Sequence, residues 1–189
     1  MLFWIILAIV AAALVYAIAV FNGLVRSRQM ANEAWSGIDV QLKRRSDLVP
    51  NLVDSVKGYA AHERSVLQEV TELRGAARAL PADDVARRAQ AEGALSAALG
   101  RLFALAENYP DLKASSNFLE LQQQLSDLEN ELQMARRYYN GAVRNLNVLV
   151  QSFPSNLIAG LFGFAGREYF ELSAGEGAVP QVDLAPPSR

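Results

Sequence analysis

The sequence predicts an all-α protein: an N-terminal transmembrane helix followed by an antiparallel bundle of long helices. Three observations carry this. Residues 2–21, LFWIILAIVAAALVYAIAVF, contain no charge. Beyond them, apolar residues recur at helical spacing over long stretches. Pro81 and Pro110 then divide the remainder into segments long enough to be helices.

The first element is residues 1–22, read as one transmembrane helix. About 20 apolar residues in a helix rise about 30 Å, the thickness of the hydrocarbon core. Trp4 falls at the interfacial aromatic belt. A cleaved signal peptide is the competing reading, since Ala17-Ile18-Ala19 fits a small-x-small cleavage site. Such a peptide carries a positive n-region and a shorter apolar core, and here no Lys or Arg precedes Arg26. Arg26 and Arg28 follow the apolar run directly, so the positive-inside rule places the N-terminus outside and the rest in the cytoplasm.

The second element is a helical bundle domain over residues 23–153, with helices expected at about 23–80, 83–109 and 115–152. The first carries one register through Ile38, Leu42, Arg45, Val49, Leu52, Val56, Tyr59, Glu63, Val66, Val70, Leu73 and Ala77. Its phase persists across Pro50, which predicts a kinked but continuous helix. The alternative is a break, with Ser46 or Asp47 capping a new helix ahead of Pro50 and a total of four helices. The choice has a geometric consequence. Three helices leave the C-terminal end far from the membrane, whereas four return it there.

Pro81 precedes the next helix, which Asp83 or Asp84 can cap, with a stripe at Leu95, Leu99, Leu102, Ala106 and Tyr109. The last helix has the clearest pattern. Phe118, Leu121, Leu125, Leu128, Leu132, Ala135, Tyr139, Ala142, Leu146, Leu149 and Phe153 alternate steps of three and four. This is a coiled-coil-like a/d stripe that must bury itself against other helices.

Residues 154–172 form an apolar C-terminal strap, in which Leu157, Ile158, Leu161, Phe162, Phe164, Tyr169 and Phe170 exceed what one short turn can bury. It is too short to span a bilayer. It is expected to pack over the end of its own bundle or to dock a subunit, a partner or lipid. Residues 173–189, rich in Pro, Gly and Ala, are expected to be an extended tail, with Val182 and Leu184 as a possible short contact.

Chemistry is sparse. Net charge is −2, which argues against a nucleic-acid binder. The absence of cysteine removes disulfides, thiolate metal sites and cysteine nucleophiles. The one histidine, His62, precedes Glu63, but neighbours on a helix diverge, so no metal site is expected. Arg136-Arg137-Tyr138-Tyr139-Asn140 sets cations beside aromatics, but Tyr139 lies on the core stripe, so a structural role is expected. Glu129 and Glu131 read as solvated. No catalytic residue and no cofactor is expected. The residues that stand out are Arg45 and Glu63, charges at apolar register positions, for which partners are expected on the third helix or in a neighbouring subunit.

Four stretches in order, EAWSGIDVQLKRRSDLVPNLVDSVKGYAAHE, AENYPDLKASSNFLELQ, ARRYYNGAVRNLN and FPSNLIAGLFGF with its following YFE, resemble the LemA family over about residues 20–171. The resemblance implies a helical bundle anchored in a bacterial cell (inner) membrane with its N-terminus outside. It implies no established catalytic residue or cofactor. The expectation is therefore a non-enzymatic single-pass scaffold or adaptor that self-assembles or gathers protein partners at the lipid bilayer. The alternative is a regulatory or signalling module coupled to a membrane protease or sensor.

Overall fold

A computed structural model describes residues 1–60 and 62–171. The expected tail, with Val182 and Leu184, and the strap's Leu172 lie outside the described residues. All regular structure among the described residues is helical.

Helix α1 runs from Leu2 to Lys57, 56 residues, or about 84 Å at the usual rise. Its N-terminal part is long and apolar enough to cross a membrane, with a mean hydropathy of 2.8 and no residue of that window buried. The character changes at Leu24. From there one face is buried through Ala31, Ala34, Ile38, Leu42, Arg45, Val49, Leu52 and Val56.

Pro50 lies inside α1 without ending it. Proline has no N–H, so the carbonyl four residues back, that of Ser46, loses its helical donor. Arg74 supplies one from another helix: its Nε donates to the Ser46 carbonyl at 2.5 Å. The chain instead turns after Lys57, where Ala60 N–H closes on the Val56 carbonyl at 2.8 Å.

Four further elements complete the bundle: α2 (Arg64–Ala79), α3 (Val85–Ala106), the short α4 (Pro110–Lys113) and α5 (Ser116–Gln151). Asp84 caps α3 by accepting from the Arg87 N–H at 3.2 Å. After α5 comes a short helix of about two turns, α6 (Ser155–Leu161).

Side-chain pairs fix the directions. Arg74 of α2 reaches Ser46, and Trp35 Nε1 donates to the Ala82 carbonyl at 2.7 Å, so α2 descends along α1. Arg88 meets Asp39, Arg45 meets Glu92, and Tyr109 meets Glu63, so α3 climbs again. Helix α5 descends, from Phe118 in the distal core to Leu146 against Leu24. The path is up, down, up, down.

Two expectations are corrected. The first helix does not continue from 23 to 80; it stops at Lys57, and its second half is the returning α2. The continuous phase misled because each half keeps its own stripe, and the turn between them joins two stripes that happen to be in register. The C-terminal strap is consequently beside the end of the apolar stretch of α1, not distal to it. Phe153, placed on the α5 stripe, lies beyond the end of that helix and is 80% exposed.

Three core clusters stack along the bundle. The distal one gathers Val49, Leu52, Val56, Leu67, Leu99, Leu102 and Phe118. The middle one holds Ile38, Leu42, Leu132, Tyr139 and Phe170. The third, at the apolar end of α1, joins Leu24, Leu146, Ala159 and Phe164.

Candidate functional site

Two constellations account for the residues that the sequence marks out. The first centres on Arg45, whose side chain is 2% exposed. Successive residues Lys43, Arg44 and Arg45 diverge around α1, so the first two face solvent and only Arg45 turns inward. Its Nη2 donates to Glu92 Oε2 at 2.5 Å and to the Glu92 carbonyl at 2.9 Å. Its Nη1 donates to Ser96 Oγ at 2.7 Å and to Glu129 Oε2 at 2.9 Å. One guanidinium thus ties α1 to α3 and α5. Glu129, expected to be solvated, is only partly so. Its position off the a/d stripe places it at the flank of α5, where a long cation from α1 can reach it. A second buried cation, Arg88, lies beside Asp39 at 2.8 Å and over the Trp35 ring at 5.4 Å.

Glu63 is not part of this network. It sits at the half-buried start of α2 and accepts from the Tyr109 hydroxyl at 3.2 Å. Loss of solvent, then the Glu63 hydrogen bond and charge, push the Tyr109 hydroxyl above its ordinary pKa. Glu63 therefore fastens the distal turn, and its partner, Tyr109, follows α3 and does not lie on the last long helix or in a neighbouring subunit, where one was expected.

The second constellation is the strap. Asn147 makes two reciprocal bonds with one backbone residue: Nδ2 donates to the Arg167 carbonyl at 2.9 Å, and Oδ1 accepts from the Arg167 N–H at 2.8 Å. Asn140 does the same with Phe170, at 3.2 and 2.9 Å. Between them the Tyr139 hydroxyl donates to the Glu168 carbonyl at 3.0 Å. The spacing explains the match. Two helical turns separate the asparagines by about 10 Å, and three residues of extended chain cover about the same distance. Each amide presents one donor and one acceptor, as a neighbouring strand would. Gly166 leaves room for this approach, since a Cβ there would lie 2.9 Å from Asn147 Oδ1.

The clamp seats Phe170, fully buried against Trp35 at a ring separation of 5.7 Å. Phe164 is buried beneath Arg28, whose guanidinium lies 4.8 Å from its ring centroid. Burial pushes the Tyr139 hydroxyl above its ordinary pKa, with Arg167 opposing and Glu168 reinforcing the shift. The strap's other apolar residues are not absorbed. Ile158 is half-buried, whereas Leu157, Leu161, Phe162 and Tyr169 are exposed.

Sequence reasoning missed Asn140, Asn147 and Glu92. The asparagines did carry a signal: they interrupt a strong helix with a residue that disfavours helix interiors, and at a spacing that puts both on one face. Among the described residues, no three His, Cys, Asp or Glu groups converge as metal ligands.

An apolar helix of membrane-spanning length, running unbroken into a helical domain, defines a membrane-associated helical protein. The chain belongs to the LemA family, whose model matches residues 34–184. It is 27% identical to the magnetosome protein MamQ of Magnetospirillum gryphiswaldense, over 86% of this chain and 70% of that protein. It is 26% identical to the magnetosome protein MamQ 2 of Paramagnetospirillum magneticum, over 80% of this chain and 64% of the relative. Protein LemA of Metamycoplasma hominis is 28% identical over 73% of this chain and 63% of its own length. The chain thus spans between 63% and 70% of these relatives.

Proposed function

We propose that the protein is a non-enzymatic, single-pass, membrane-anchored scaffold that holds copies of itself or partner proteins at the bilayer. The observation that carries this is the unbroken passage of α1 from its apolar stretch into the bundle core. With no linker between anchor and domain, the bundle stands at a set height and orientation, as a scaffold requires. The buried ionic groups support the same reading: they join helices to one another across the bundle. Arg26 and Arg28 favour a bundle on the cytoplasmic side of a bacterial inner membrane. The naming of the MamQ relatives as magnetosome proteins supports a role in a larger assembly.

The test is crosslinking from the bundle surface in native membranes, followed by identification of neighbours, with sizing of the detergent-solubilised chain. A scaffold gives a defined self-assembly or a reproducible partner. A strict monomer with no crosslinked neighbour contradicts it.

The same unbroken helix favours a second reading, a regulatory module coupled to a membrane protease or sensor. Reporters placed before and after Pro50 would then move together on stimulation, whereas a passive scaffold would leave them fixed.

A further inference from the structure

Helix α6 has its amphipathicity inverted for a water-exposed helix. Ser155 and Ala159, one turn apart, form its buried face. Leu157 and Leu161 lie two positions along from them, on the opposite side, and are 62% and 76% exposed. Phe153 and Phe162, which flank the helix in sequence, are exposed as well. No Asp, Glu, Lys or Arg occurs from Asn145 to Gly166. An exposed helix in water would place polar groups at Leu157 and Leu161.

The height of this surface is set by its contacts. The Phe162 and Phe164 rings lie 4.8 and 5.7 Å from the ring of Phe21, the last residue of the apolar run. Val20, Phe21 and Val25 of α1 pack on the cluster that contains Ala159. The exposed leucines therefore stand beside the point where α1 leaves the apolar stretch. That is the level of the headgroup boundary if α1 spans the bilayer.

We infer that α6 lies in the membrane interface, with Phe153, Leu157, Leu161 and Phe162 in the acyl region of the leaflet from which α1 emerges. The occupant of this surface is lipid, because the surface is continuous with the lipid-facing side of α1 and carries no charge. The clamp by Asn140 and Asn147 is what holds it there: it secures the chain after α6, as α5 secures the chain before it. The protein thus touches the bilayer twice, through α1 and through α6, and the second contact limits tilt of the bundle about α1.

This inference rests on the anchoring reading, and the test separates the two. The chain has no cysteine, so single-cysteine variants carry one spin label each. Leu157→Cys, Leu161→Cys, Leu14→Cys in the apolar run and Met134→Cys on the exposed bundle are reconstituted as full chains in vesicles of mixed zwitterionic and anionic lipid. Collision rates with oxygen, which partitions into lipid, are compared with those of a water-soluble nickel chelate. The expected oxygen-to-nickel ratio at positions 157 and 161 is several-fold above that at 134 and approaches that at 14. A water-like ratio at 157 and 161 with a lipid-like ratio at 14 overturns the inference and leaves the anchor intact. Low collision with both reagents at 157 and 161 also overturns it, since that reports a protein cover. A water-like ratio at 14 overturns the anchoring reading itself, and this inference with it.

Discussion

Removing Arg45 is the perturbation whose magnitude the structure fixes best. Its guanidinium is 2% exposed and is shared by Glu92, 6% exposed, and Glu129, 33% exposed. Each carboxylate near it is worth about 4 kcal/mol of gross attraction at an effective dielectric constant of about 20. Desolvation of the partners offsets much of that, so the pair energies do not simply add. What Arg45→Ala leaves behind decides the outcome: two carboxylates facing each other across α3 and α5, one of them buried. Breaking a buried pair from one side costs about 3–5 kcal/mol, a large part of the stability of about 5–15 kcal/mol that a domain has. Glu129→Gln removes a partly solvated charge and keeps an acceptor, so it costs about 1 kcal/mol. Replacing all three by Arg45→Met, Glu92→Leu and Glu129→Leu restores stability to within about 2 kcal/mol of the parent or above it. The assay is urea unfolding of the full chain in detergent, followed by far-ultraviolet circular dichroism. A cost below about 1 kcal/mol for Arg45→Ala would refute the view that this residue locks the bundle.

Three further outcomes follow from the same contacts. Arg74→Met costs about 1–3 kcal/mol in the parent, because it orphans the Ser46 carbonyl, and clearly less beside Pro50→Ala, which returns a helical donor; equal costs in the two backgrounds would show that Arg74 does not serve the proline. Asn147→Ala breaks both bonds to Arg167, so hydrogen exchange at the Arg167 and Phe170 amides accelerates while the α1–α3 core stays protected; unchanged exchange would dismiss the clamp. The Tyr139 hydroxyl has a raised pKa in the fold, so its contribution to stability is full below about pH 10, its unfolded value, and is lost as pH climbs through the higher folded value. Tyr139→Phe removes that alkaline loss and costs about 1 kcal/mol near neutral pH through the unpaired Glu168 carbonyl, which unfolding curves at both pH values would reveal.

Much of the architecture was legible because helical periodicity records burial directly. The a/d stripe of α5 gave its extent to within a residue or two, and Pro81 and Pro110 marked real boundaries. Arg45 was conspicuous because a charge in an apolar register needs a partner. The first reversal follows Lys57 and not Leu80, because the apolar phase of α1 runs on into α2 across the turn. Lys57-Gly58 is the local stop signal, a cation in the last turn followed by glycine. The way the helix tolerates Pro50 is not legible locally because the compensation is tertiary: the donor to the Ser46 carbonyl comes from Arg74, 28 positions along the chain from Ser46. The clamp was hidden for a related reason. An asparagine in a helix is weak evidence alone, and its meaning appears only when the strap's backbone is laid against it. Glu63 shows the opposite error, since its register position was inherited from a helix that does not continue that far.

The central claim is that the bundle returns the C-terminal strap to the membrane end of α1. A short thiol crosslinker applied in native membranes to the double variant Phe21→Cys and Phe162→Cys tests it most directly, in a chain with no other cysteine. This fold predicts an efficient bridge within one chain. No bridge at that pair, with one forming instead between Phe162→Cys and Tyr59→Cys at the distal turn, would contradict it.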